Sequence, residues 1–278
     1  MGVPGLRRAG LERARPERAE LERAELERAE LERAELERAE HEGAALRAAA
    51  GPGWPGRRIV LTSLLGSMLA ACGGREAKGD AVLNEELLAA AARGDAAAVR
   101  DALQAGADIE ARDGRRRTAL LLAAAADHVE AAGVLVEAGA DPDAQDARQD
   151  TPWLVTGVTG SVAMLRTLLP ADPDLTVRNR YGGVSLIPAC ERGHVDYVRE
   201  VLKTGIDVNH VNDLGWTGLL EAVILGDGGP PHQEIVRLLI AADADVNLAD
   251  RDGVTPLAHA LAKGQTEVAA LLRAAGAR

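Results

Sequence analysis

Chemistry in a protein needs nucleophiles, acids, bases or ligands held at defined spacings, and this 278-residue chain offers three sets to weigh. His128, His194, His210, His232 and His259 are spread singly along it, close Asp pairs recur (Asp141/Asp143, Asp243/Asp245), and Cys72 and Cys190 stand far apart. A nucleophilic triad, a zinc site or a phosphate loop would bring such residues together at characteristic offsets, and none of those offsets occurs. The histidines fall in separate stretches, and the Asp pairs return at a fixed interval, as side chains serving a repeated turn would. No catalytic residue, cofactor or metal is expected, and the chain reads as a binding protein. Cys190 sits in an apolar stretch beginning at Leu186 and is expected to be a small core residue.

Cys72 is different, because what precedes it has an order. Arg57-Arg58 is followed by a 13-residue apolar run, Ile59 to Ala71, and then by Cys72 and Gly73-Gly74. Thirteen helical residues reach roughly 20 Å, short of a hydrocarbon core of about 30 Å. A basic flank, a short apolar stretch and small residues are instead the three parts of a secretory signal. Leu69-Ala70-Ala71-Cys72 resembles the bacterial lipobox, and Arg57-Arg58 loosely resembles a twin-arginine export signal. The resemblance implies that the Cys72 thiol accepts a diacylglycerol and becomes a new N-terminus. Two acyl chains, at about 0.8 kcal/mol per buried methylene, anchor stably where one would be marginal. Residues 57–71 are thus read as signal-like and 72–82 as a linker. The expected location is the extracytoplasmic side of the cell membrane, with a cytoplasmic chain as the alternative.

Upstream, residues 11–40 repeat a five-residue unit, LERAR, PERAE and then LERAE four times. The residue types favour helix, and ion pairs three and four apart support one. Five residues advance about 500° around a helix, so the leucines spiral and form no coiled-coil stripe. Residues 1–56 are read as a low-complexity segment, disordered or a lone helix, that a mis-assigned start codon would explain. The Pro- and Gly-rich stretch 51–56 breaks any helix running through it.

The elements that position side chains lie beyond residue 82. The openers Leu87, Leu120, Trp153, Leu186, Leu219 and Leu257 are spaced 33, 33, 33, 33 and 38. Independently, Asp108, Asp141, Asp174, Asp207 and Asp245 are spaced 33, 33, 33 and 38. Two landmarks agree on the period and on one five-residue insertion, so the chain repeats. Each unit runs turn, short helix opening near Thr or Ser, polar break, second amphipathic helix, and Gly/Ala-Asp turn. Pro256 falls in a first helical turn, where a missing N–H is harmless. Gly106, Gly139, Gly205 and Gly276 follow second helices, where a left-handed cap is needed. Such units cannot bury their apolar faces singly and must stack. That suits a chain with no Phe and 2% aromatics, whose core must be built from Ala, Leu and Val.

Thr118-Ala-Leu120, Thr151-Pro-Trp153, Thr217-Gly-Leu219 and Thr255-Pro-Leu257, with Gly193-His194 and Gly205-Ile-Asp-Val-Asn209, resemble the ankyrin-repeat signature. Residues 179–198 further resemble a bacterial ankyrin subgroup, some of whose members carry export signals. The resemblance covers residues 83–278. It implies an all-α solenoid of about six helix-turn-helix repeats of 33 residues with β-turn fingers, capped by a polar first unit and by the Arg273–Arg278 tail. His194 and His232 take the family's Gly-His position, where the imidazole bonds neighbouring backbone. Departures are Val184 for Thr, Asp127 for Gly, and the insertion Gly226–Pro231, read either as a loop with its own contacts or as a tolerated elongation.

Ankyrin proteins bind partners with fingertip residues that point into a concave groove. The resemblance therefore implies partner-binding roles for Arg115, Arg117, Arg148, Arg180, Tyr181, Leu214 and Trp216, and for Glu191 and Arg192 on the adjacent first-helix surface. Arg, Tyr and Trp are the types that dominate interface hot spots. The alternative for Tyr181 and Trp216 is packing onto neighbouring turns. Residues 72–278 carry 31 acidic and 20 basic side chains, and this accounts for the whole formal charge of −11. A nucleic acid would need a basic excess, so the expected partner is a protein or peptide, held by a monomer. A cytosolic inhibitor or immunity-like binding protein is the second reading.

Overall fold

The computed structural model describes residues 76–278; Cys72, the signal-like stretch and the LERAE repeats lie outside the described residues. Twelve α-helices follow one another within the described residues. They are α1 (Glu76–Arg93), α2 (Ala96–Gln104), α3 (Ala119–Ala125), α4 (Val129–Glu137), α5 (Pro152–Thr159) and α6 (Val162–Leu168). Then come α7 (Leu186–Glu191), α8 (Val195–Val201), α9 (Gly218–Ile224), α10 (Pro230–Ala241), α11 (Pro256–Ala262) and α12 (Thr266–Ala274). Each odd-numbered helix packs on the next odd-numbered one, and each even on the next even, so the six pairs stack in two helical layers. No strand is formed among the described residues, apart from an isolated bridge between Arg112 and Thr118.

Local chemistry sets where the first helix of each pair begins. Thr118, Thr151, Thr217 and Thr255 cap α3, α5, α9 and α11, their side chains accepting from Leu121, Leu154, Leu220 and Ala258 backbone N–H. Such caps are worth about 1 kcal/mol each. In the fourth repeat Val184 replaces the Thr; the cap residue of α7 is Ser185, which makes no side-chain cap bond. Gly106, Gly139, Gly205 and Gly276 take φ of 98°, 89°, 86° and 91°, as the expected left-handed caps require. Asp127, at the position where other repeats carry Gly, accepts φ 55°.

Stacking is cemented along both edges of the helical layers. Near the start of the second helices, His128 Nε2 bonds Ala92 O at 3.2 Å, His194 Nε2 bonds Val158 O at 3.1 Å, and His232 Nε2 bonds Glu191 O at 3.0 Å. Gln265 Nε2 does the same toward Val223 O at 3.0 Å. Each partner is the backbone of the preceding repeat, which is the role expected of His194 and His232 and one that His128 shares. Ser161 is too short to reach and instead caps its own helix through Met164 N–H. At the opposite edge the backbone N–H groups of Asp141, Asp174 and Asp245 donate to Glu110, Asp143 and Asn209 of the turn before, and that of Asp108 donates to Asn84 of α1.

One core runs through the stack from Leu87 to Leu272. Trp153 is fully buried in it, as are Tyr197 and Cys190. Trp153 takes the place that Leu holds in the other repeats. At Gly157 a Cβ would fall 1.9 Å from Ser185 O, so the helix of the third repeat touches the backbone of the fourth. Tyr197 Oη and Thr156 Oγ1, 2.7 Å apart, tie the same two repeats together in the interior. Burial pushes the Tyr197 phenol up to about 12, with the hydrogen bond to Thr156 working the other way.

Candidate fingertip site

Between each second helix and the next first helix the chain folds into a finger, and one side chain fastens each. Asp113 Oδ1 accepts from the N–H of Arg115 at 2.8 Å and of Arg117 at 2.9 Å. Asp146, Asn179, Asn212 and Asp250 repeat that pair of bonds at the same offsets of two and four residues. A short acceptor that bonds its own backbone is what an Asx turn needs. The second set of Asp residues acts similarly: Asp141 Oδ1 accepts from Asp143 N–H at 2.8 Å, and Asp245 Oδ1 from Asn247 N–H at 2.9 Å. The recurrent aspartates are therefore turn fasteners, as their periodicity implies.

Three residues past each fastener the backbone turns left-handed, at Arg116 (63°), Gln149 (63°), Gly182 (71°), Gly215 (86°) and Gly253 (76°). Three fingers use Gly there, which has no Cβ to clash. Arg116 and Gln149 hold the same conformation at a cost of about 1 kcal/mol each.

The fingertip side chains fall into two groups. Arg115, Arg116 and Arg148 are exposed. Arg117 is folded back on its own finger, with Nε 2.9 Å and a terminal nitrogen 2.7 Å from Asp113 Oδ2. Burial disfavours the charged Asp113 carboxylate, but the N–H groups of Arg117 and Arg115 and the Arg117 guanidinium outweigh it, and its pKa lies below the ordinary value. Arg180 lies 3.9 Å from Asp150 and stacks 4.5 Å above the Tyr181 ring. Tyr181, Leu214 and Trp216 are half-buried, each in a finger, and Tyr181 O accepts from Asp213 N–H of the next finger at 2.8 Å. Glu191 ends α7 and Arg192 caps it; both are half-buried, and Glu191 is engaged through its carbonyl by His232. The tips thus grade from arginine-rich on fingers one to three to apolar on finger four.

Two features escape a reading by residue type. Arg116 completes a run of three arginines at one tip, and only its backbone angle sets it apart. Glu221, in α9, is 4% exposed and accepts from Asn212 Nδ2 at 2.8 Å. The period carries the signal for it, since the same position is Leu122, Val155 and Pro188 in the preceding repeats.

The insertion divides into loop and helix. Asp227 Oδ1 accepts from Gly229 N–H at 2.8 Å and faces His232 Nδ1 at 2.9 Å, while Pro230 and Pro231 open α10, which reaches 12 residues. Its own contacts are with the next repeat: Lys263 Nζ donates to Ile224 O and Gly226 O, and Gln265 Nε2 to Gly226 O. Among the described residues, no group of His, Cys, Asp and Glu side chains could hold a metal ion, and no helix is long and apolar enough to cross a membrane.

This geometry has close counterparts. A family model described as ankyrin repeats matches three times, over residues 87–179, 159–250 and 186–278. The ankyrin repeat protein YahD of Escherichia coli is 51% identical over 105 residues, 37% of this chain and 52% of YahD. The match thus spans about half the length of that relative. A crystal structure of an ankyrin repeat domain from Acinetobacter baumannii is 49% identical with a TM-score of 0.67, covering 69% of this chain and 98% of that one. The ankyrin repeat protein EF0377 is 37% identical with a TM-score of 0.66, covering 68% and 97%. By period, by fold and by these likenesses, the chain belongs to the ankyrin-repeat family, whose repeats generally act as protein–protein interaction modules.

Proposed function

We propose that this protein holds a protein or peptide partner along its fingertips as a monomer, tethered by lipid on Cys72 to the outer face of a cell membrane. The observation that carries the groove reading is variation above constancy. Every finger is fastened by the same Asp/Asn pair of bonds, yet the tips change from Arg115 and Arg148 to Tyr181 and Trp216. Turns kept alike while their tips diverge are what a binding surface needs, since the scaffold must stay rigid as contacts specialise. Half-buried Tyr181 and Trp216 have the size and pre-ordering of interface anchors.

The test is capture of a cross-linked or co-purified partner by the Tyr181→Ala/Trp216→Ala chain. Partner capture is expected to fall by tenfold or more, about 1.4 kcal/mol, with little loss of melting temperature. Capture at the wild-type level removes the groove assignment. The tether is tested apart, by intact mass spectrometry of the protein from its native membrane fraction. A chain beginning at Cys72 with acyl mass supports the anchor. A chain bearing residues 1–71 and no lipid overturns it and favours a cytosolic binding protein.

A further inference from the structure

We infer that the fingertips read one extended segment of a partner protein, acidic at one end and apolar at the other. This rests on the groove reading and adds the partner's chemistry and register. The chain is acidic overall, yet its tips concentrate arginine, with Arg115, Arg116 and Arg117 consecutive on the first finger and Arg148 on the second. Nearby carboxylates are already engaged. Asp113 and Asp146 fasten their own turns, Asp113 also pairs with Arg117, and Asp150 faces Arg180. Neither Arg115 nor Arg116 makes an ion pair among the described residues, although both are exposed. Adjacent like charges repel, and Arg116 is moreover held in a left-handed conformation that glycine occupies in three other fingers. Carboxylates supplied from outside would complete both.

On the fourth finger the character changes. Leu214 and Trp216 are half-buried, and Val211 leaves 43% of its surface exposed. Packed helices stand about 8–10 Å apart, so the first and fourth fingers lie roughly 24–30 Å apart. An extended segment rises about 3.3 Å per residue and needs roughly eight or nine residues to span that distance. A continuous polyanion fits less well, since it would run its charge past the exposed Asp213 on finger four.

The experiment is selection of a random nonapeptide library, displayed on phage, on the full-length chain at low and at high salt. The expected winners carry two or more Asp or Glu at one end and Trp, Phe or Leu toward the other. Synthesised singly, they should lose about tenfold in affinity on the Arg115→Ala/Arg116→Gly chain at low salt, and less at high salt where screening has removed the electrostatic part. Trp216→Ala should weaken them equally at both salts. Winners that are neutral or basic but still depend on Trp216 overturn the acidic reading and leave the groove standing. Acidic winners indifferent to every fingertip change overturn both. A single-stranded oligonucleotide that competes as well as the acidic peptide, or a library with no winners, also overturns the inference.

Discussion

Asn212 Nδ2 donates to Glu221 Oε1 at 2.8 Å, and in the following repeat His259 Nε2 lies 2.7 Å from Asp250 Oδ2, each pair nine residues apart in sequence. The two pairs are the same bond with the acid moved from helix to finger. Both join a finger to the first helix behind it, so the last two fingers are held from below as well as by their own turns. In the three preceding fingers the helix position is Leu122, Val155 or Pro188 and offers no such tie.

Removing the acceptor should therefore be felt at the fourth finger. In Glu221→Ala the buried Asn212 amide loses its acceptor, and a cost of about 1–3 kcal/mol is expected. Glu221→Gln keeps a carbonyl oxygen there and should cost less than about 1 kcal/mol. Urea unfolding of the two variants decides the matter. Equal losses would mean that side-chain volume, and not the hydrogen bond, matters at this position.

Gly157 makes an opposite prediction from the one helix propensity gives. Alanine favours a helix interior by roughly 1 kcal/mol over glycine. A methyl group at Gly157, however, would sit 1.9 Å from Ser185 O, a backbone atom that cannot turn aside. Overpacking of this kind costs about 1–3 kcal/mol, so Gly157→Ala should lower the melting temperature. A rise would show that the third and fourth repeats can separate freely.

Arg116 should trade stability against binding. Arg116→Gly relieves a left-handed residue at φ 63° and should stabilise the chain by roughly 0.5–1 kcal/mol, while weakening capture of an acidic partner. Gln149→Gly, at the same φ, is the control and should stabilise without that loss. Thermal melts and partner titrations read the two effects separately, and a stabilised Arg116→Gly chain with unchanged affinity would argue against a binding role.

Asp150 gives a pH dependence with a definite sign. Burial first, and then repulsion from Asp146, raise its pKa above the ordinary value, with Arg180 and Arg148 opposing. An acid whose folded pKa is raised favours folding most below its unfolded value, and that contribution is lost as pH rises through the folded value. Asp150→Asn should thus raise the melting temperature at neutral pH and make no difference near pH 3. Melting curves across that range check it; a variant less stable at pH 7 would mean that the contact with Arg180 outweighs the burial.

Sequence alone determined the period, the all-α solenoid, the helix starts at Thr118, Thr151, Thr217 and Thr255, and the turn role of the recurrent aspartates. These are legible because each rests on bonds within a few residues, which residue type and offset encode directly. The finger positions were legible, and Arg115 and Arg148 stand exposed there. Tertiary structure decided the rest. Arg117 turned back on Asp113, Arg180 settled between Asp150 and Tyr181, Glu221 was buried, and the insertion split into a loop and the first turn of α10. It also decided which carbonyl each of His128, His194 and His232 meets, across 36, 36 and 41 residues. The contacts between repeats are set by packing geometry that no single unit of sequence contains, whereas the Arg117–Asp113 pair forms within one finger, where side-chain rotamer and not residue type chooses the partner.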